Sequence, residues 1–107
     1  AVTRIVSKPD TNIVCADLGH KAIASENPLT NRVFFLNAPD LQPIGHSEEH
    51  LVLQAPENHS YKVGQLLYGI PYHICPTVAL HDRVAVAENG VITGHWKTKA
   101  RDRMITI

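Results

Sequence analysis

Net charge, aromatic side chains, cysteine and long apolar runs are all scarce in this chain, and each shortage removes a class of function. Ten Lys and Arg balance ten Asp and Glu, with a pI near 7.3. No long-range field therefore steers the protein onto a polyanion or an anionic lipid surface. One Trp, three Tyr and two Phe make only 6% aromatics, and the basic residues are scattered. With neither base-stacking platforms nor a basic stripe, no nucleic-acid partner is expected. No apolar run reaches the length of a bilayer span, and residues 1–10 lack the apolar block of a secretory signal. No membrane partner is expected, and the cytoplasm is the expected compartment. Two cysteines cannot build a disulfide framework. Without secretion, the acceptor pattern Asn58-His59-Ser60 carries no meaning. A phosphate-binding glycine loop, a GxSxG elbow and a CxxC pair are all absent, so nucleotide-driven, serine-hydrolase and thioredoxin-type chemistry have no support.

What remains is one domain's worth of chain, 107 residues and 11.8 kDa. Surface scaling gives about 5,900 Å² exposed when folded, against roughly 17,100 Å² unfolded, enough burial to fold without staples. Position 1 is Ala rather than Met, so a processed product or a piece of something longer is expected. Seven Pro and six Gly leave no stretch free of both longer than thirteen residues, which excludes long helices. Short β-branched or apolar segments lie between these breaks, at residues 3–7, 12–17, 32–37, 50–55, 65–70, 83–88, 91–98 and 104–107. The expected fold is therefore all-β, a small barrel or sandwich of about eight strands. Asn89-Gly90 supplies the positive φ values of a type I′ turn and pairs residues 83–88 with 91–98 as a hairpin. Two short helical pieces are expected, at residues 18–25 and in a single turn opened by Pro76 and running to Leu80.

Chemistry concentrates in the segment from Tyr68 to Thr77. Pro71 and Pro76 disfavour helical angles in the residues before them, so the backbone between is expected to be extended. In that geometry His73 and Cys75 share a face, with Cα atoms about 6.6 to 6.8 Å apart. Imidazole nitrogen and thiolate sulfur favour zinc over magnesium or calcium, and two protein ligands leave positions open for water or substrate. The competing reading of the same residues is a buried apolar thiol beside a turn histidine.

His50, after Ser47-Glu48-Glu49, is a candidate catalytic group, because an adjacent carboxylate can orient an imidazole or tune its basicity. A solvated approach to the strand is the alternative. His46, His59, His81 and His95 stand in turn-like contexts and are expected to face solvent, and Cys15 to be plain core. Asp17 to Ala22 reads as a turn and a short cap, and Arg101-Asp102-Arg103 as a solvated charge cluster.

Four segments together, DLGHKAIASENP at residues 17–28, GHSEEHLVL at 45–53, YGIPYHICPTVALHDRVAVAENG at 68–90 and ARDRMITI at 100–107, resemble the C-terminal domain of the D-threonine aldolase and D-serine dehydratase family. The resemblance runs over nearly the whole chain, in order. It implies a β-domain like that of alanine racemase, here spanning residues 1–107, the C-terminal part of a homodimeric pyridoxal-phosphate enzyme. The cofactor-binding barrel has no place in this sequence. Lys8, Lys21, Lys62, Lys97 and Lys99 do not match the cofactor-bearing lysine, so the 107 residues alone are expected to be inactive.

Within the family the motif matching HICPTV supplies two metal ligands, which here are His73 and Cys75. Cysteine at the second position resembles the zinc-dependent dehydratases rather than the manganese-type aldolases, whereas SEEH and the ARDR ending resemble the aldolases. The implied substrate is a D-3-hydroxy amino acid. The cofactor is its electron sink, and the metal is a Lewis acid toward the 3-hydroxyl, serving either retro-aldol cleavage to glycine and an aldehyde or dehydration. The alternative from another class is a free-standing β-barrel binding module without catalysis. Strands left bare by an absent barrel are expected to drive self-association.

Overall fold

The computed structural model of the chain describes every residue except Arg103 and Ile107. Among the described residues eight strands form: β1 Val2–Asp10, β2 Ile13–Ala16, β3 Val33–Phe35, β4 Gln42–His46, β5 Leu51–Gln54, β6 Leu66–Pro71, β7 Arg83–Glu88 and β8 Val91–Lys97, with one α-helix, α1 Ile74–Ala79, after β6. The first six make one antiparallel sheet in the order β3-β6-β1-β2-β5-β4, and β7 and β8 make a separate pair. The fold is mostly β, as expected, but the six-stranded sheet is a curled half-barrel with two free edges, β3 and β4.

Alternation along the strands explains which face is inside. In β5, Leu51 and Leu53 are fully buried while Val52 and Gln54 are half-buried. Thr3 and Ile5 of β1, Val14 and Ala16 of β2, Val33 and Phe35 of β3, and Leu67 of β6 turn inward in the same way. Ile23, Ala38 and Leu41 from the connecting loops complete this core. Gly69 in β6 permits close packing there, since a Cβ at that position would lie 2.6 Å from Val33 Cγ2.

The two edges of the sheet meet through side chains. The 3-10 turn Leu29–Asn31, which leads into β3, packs against β4. Arg32 Nη1 lies 2.9 Å from His46 Nδ1, and His46 Nε2 lies 2.9 Å from Leu18 O. An arginine can only donate, so Nδ1 of His46 is the acceptor and Nε2 carries the proton donated to Leu18. Desolvation holds the His46 imidazole below its usual range against the opposing bond to Leu18 O, and the charges of His20 and Arg32 lower it further. His20 packs edge-on against the same ring, centroids 4.5 Å apart.

Several expectations need correction. Of the turn histidines only His95 is exposed. His46 bridges the sheet edges, His59 donates to Thr11 O at 2.8 Å, and His81 donates to Ala22 O at 2.8 Å. Cys15 is half-buried on β2 rather than deep core. Residues 18–25 form turns instead of a helix, because Gly19 is pressed against the segment after β4, where a Cβ would lie 2.0 Å from Glu48 O. Strand β4, absent from the expected set, carries Pro43 at the sheet's edge, where a missing N–H disrupts little. No strand forms at residues 104–106, and the expected strand's last residue, Ile107, lies outside the described residues, as does Arg103 of the charge cluster. Asp102 pairs with Lys97 at 2.7 Å, and Arg101 donates to Ala79 O at 2.9 Å.

The hairpin of β7 and β8 forms as expected, with Asn89 at φ 52 and Gly90 at φ 79. It packs extensively only against itself. The chain's radius of gyration is 15.2 Å and its surface 7228 Å², against about 13 Å and about 5,900 Å² for a compact domain of this length.

Candidate functional site

His73 and Cys75 sit where β6 gives way to α1, and both are exposed. The extended backbone expected between Pro71 and Pro76 is not what forms. His73 is the extended N-cap residue (φ −122, ψ 99), Ile74 opens the helix, and Cys75 lies in its first turn. Pro76 is tolerated one position later because N–H groups of a first turn have no intrahelical acceptor. The two side chains therefore leave a helix N-terminus rather than one face of a strand.

The loop after Gly19 is tied to this helix at three points. Ala22 O accepts from His81 Nε2 at 2.8 Å, Ala24 N donates to Thr77 Oγ1 at 3.0 Å, and Glu26 Oε1 is bonded to His73 Nδ1. The buried Thr77 hydroxyl also donates to His73 O at 2.8 Å, so one side chain bonds the loop and the backbone of the candidate ligand together. Residues 73, 77 and 81 recur every four, while 22, 24 and 26 recur every two in the opposite direction.

A carboxylate only accepts, so the Glu26 contact places a proton on His73 Nδ1, and in the neutral ring the Nε2 lone pair is then the one left free. Nε2 makes no hydrogen bond among the described residues. Glu26's own backbone N–H holds its carboxyl below the usual carboxylate range against the opposing effect of desolvation, and His73 and then Arg32 add smaller lowering effects. Arg32 supports the loop from the other side by donating from Nε to Asn27 O at 2.9 Å, while its carbonyl accepts from Tyr72 N at 3.2 Å.

As donors for a divalent cation the residues fit. An imidazole with Nδ1 already engaged by a carboxylate and an exposed thiol are the chemistry of a zinc site with its orienting partner. Among the described residues no group of three or more His, Cys, Asp or Glu converges to hold an ion, so this chain would supply two positions.

His50 lies elsewhere, in the turn between β4 and β5. Its backbone bonds with Ser47, and its ring is exposed. The adjacent carboxylates do not orient it: Glu48 pairs with Lys21 at 3.4 Å, and Glu49 forms a closer pair with the same lysine. Among the described residues His50 shares no hydrogen-bond partner with His73 or Cys75. Sequence reasoning missed Glu26, Thr77 and Arg32, whose partners lie 47, 53 and 14 residues away. The one available signal was the spacing of His73, Thr77 and His81.

Residues 1–87 match the family model described as "Putative serine dehydratase domain". A D-threonine aldolase of an Arthrobacter species is 30% identical over 98 residues, covering 91% of this chain and 25% of that enzyme. An uncharacterized protein, Mb1449, of Mycobacterium bovis is 30% identical over 93 residues, covering 84% of this chain and 70% of its own length. Among solved structures, D-threonine aldolase from Filomicrobium marinum superposes with a TM-score of 0.80 at 21% identity, over 94% of this chain and 27% of that one. An alanine racemase-like protein from Idiomarina loihiensis gives 0.69 at 21% identity, over 90% and 30%. The chain thus spans about a quarter of the aldolase relatives. No helix among the described residues is long and apolar enough to cross a membrane.

Proposed function

This chain belongs to the serine dehydratase domain family, and from that premise we propose that it is the metal-bearing C-terminal β-domain of a lyase acting on D-3-hydroxy amino acids. Family and fold link it to D-threonine aldolase-like and D-hydroxyamino-acid dehydratase-like enzymes. The observation that carries the finer reading is the exposed pair His73 and Cys75, with Nδ1 of the imidazole occupied by Glu26 and Nε2 free. Zinc suits this nitrogen and sulfur set better than manganese. When bound, the metal supplies a Lewis acid for the substrate hydroxyl, and pyridoxal phosphate, held by a barrel outside these 107 residues, supplies the electron sink.

The residues of this chain then have limited tasks. His73 and Cys75 present the donors, and the loop at residues 22–26 holds the helix that bears them. Retro-aldol cleavage to glycine and an aldehyde is favoured by the Arthrobacter relative. Dehydration is the other outcome, suggested by cysteine at position 75. His50 is retained only as a polar group for the Cα or hydroxyl proton. The same reading makes the domain one half of a site completed elsewhere, in a homodimer, within the cytoplasm. Its exposed apolar side chains favour self-association when the domain is alone.

Cobalt(II) titration of the chain tests the metal. A thiolate-to-metal charge-transfer band should appear, disappear in Cys75→Ser, weaken in His73→Ala and survive Cys15→Ser. No band at saturating cobalt overturns the metal reading. That result would favour the second reading, a binding module without catalysis, which the Mycobacterium bovis protein supports because this chain accounts for 70% of it.

A further inference from the structure

Among the described residues Glu26 is the one carboxylate bonded to the candidate metal pair, and its position is over-determined. Two residues before it, Ala24 N is held by the buried Thr77 hydroxyl at 3.0 Å. One residue after it, Asn27 O is held by Arg32 Nε at 2.9 Å. Arg32 is itself fixed through His46, which binds Leu18 O across the sheet's open edge. A surface carboxylate on a free loop would sample many rotamers and lose side-chain entropy to hold one contact. Here the flanking backbone is already ordered, so only the last side-chain torsions of Glu26 remain to be set.

The contact has one chemical consequence. A neutral imidazole carries its proton on either nitrogen, and only the unprotonated one can bind a metal. An acceptor at Nδ1 selects the Nδ1–H form. We propose that Glu26 is the positioning residue for His73, fixing its tautomer and ring orientation so that Nε2 is the donor offered to the cation. The proposal rests on the metal reading for its purpose, though not for its geometry. Such orienting partners are worth about 10–100-fold in metal affinity where they have been removed.

The tautomer is measurable with no metal present. In long-range nitrogen–proton NMR of the metal-free chain, above the pH range of imidazole protonation, His73 should show Nδ1 as the protonated nitrogen. Glu26→Ala should admit the Nε2–H form. Glu26→Gln, which keeps a carbonyl acceptor, should restore the Nδ1–H form. A wild-type His73 in the Nε2–H form, or a spectrum unchanged by Glu26→Ala, overturns the proposal. Because Glu26 is exposed, both variants should keep the wild-type urea midpoint, which separates positioning from folding.

Cobalt titration of the same variants supplies the second readout. Glu26→Ala should weaken binding about 10–100-fold while keeping the thiolate band, and Glu26→Gln should recover part of the loss. Absence of the band in wild type defeats the metal reading alone, since the tautomer experiment still decides whether Glu26 sets His73. Equal affinities in wild type and Glu26→Ala overturn the positioning role even where the band is present.

Discussion

The half-barrel sheet and the β7–β8 hairpin are written in the same alternating, β-branched vocabulary, yet they end in opposite environments. In the sheet, Ile5, Val14, Leu51, Leu53 and Leu67 have no accessible surface, whereas no residue of the hairpin is buried and Trp96 is 70% exposed. The sheet is specified by burial between distant segments, with β1 paired to both β2 and β6. The hairpin is specified by two residues, Asn89 and Gly90, whose positive φ values fit a tight turn. A two-stranded ribbon without a covering layer is marginal in water. Alternation therefore states that a strand has two faces, and says nothing about whether either one is covered.

Leucine truncation breaks the comparison most sharply. Leu53→Ala opens a cavity in the sheet's core and should cost about 2–5 kcal/mol. Ile92→Ala in the hairpin, 58% exposed, should stay within about 0.5 kcal/mol. Urea unfolding followed by circular dichroism reads both. A cost at Ile92 equal to that at Leu53 would show that the hairpin is covered in solution, by a second copy or by another part of a longer protein.

The same contrast decides what was legible beforehand. The hairpin could be read to the residue at the ends facing its turn, because its cause is local. Strand β5 was legible as a β-branched and apolar segment, and its alternation sets Leu51 and Leu53 inward. Strand β4 was not, because Pro43 and Gly45 read as breaks, and only the position of β4 at an edge makes them acceptable. The helical propensity of residues 20–24 lost to packing, since Gly19 must lie against Glu48 and Ala24 must meet Thr77. At the candidate site the ligand types stood in the sequence, but the carboxylate that orients one of them lies 47 residues away. No spacing rule connects them before the loop is folded.

Glycines sharpen the contrast at a smaller scale. A Cβ at Gly19 would lie 2.0 Å from Glu48 O and 2.3 Å from Glu49 N, both backbone atoms that cannot rotate away. Gly19→Ala should cost about 1–3 kcal/mol, the usual scale of overpacking. Gly94 in β8 has nothing within 4 Å of such an atom. Gly94→Ala should be neutral or stabilise by about 0.4–1 kcal/mol through the unfolded chain's lost freedom. Equal thermal midpoints for the two variants would mean that the loop holding Gly19 yields as freely as the hairpin.

The smallest expected effect is a titration confined to the sheet side. Tyr61 packs against the core cluster, and its hydroxyl donates to Asp40 Oδ1. Desolvation, then the bond to Asp40 and that carboxylate's charge, push the phenol from 10.0 up to about 12. The folded state thus holds this proton more tightly than the unfolded chain does. The stability it contributes is fully present below pH 10 and is lost as the pH rises toward about 12. The hairpin has no tyrosine but carries the chain's single tryptophan, so the two regions report through different chromophores. Tyr61→Phe should remove the tyrosinate absorbance step near pH 12 and flatten the alkaline loss of stability, leaving Trp96 emission unchanged. Loss of a step near pH 10 instead of pH 12 in Tyr61→Phe would show that the Asp40 contact does not hold the proton. A change in Trp96 emission would show instead that sheet and hairpin are coupled.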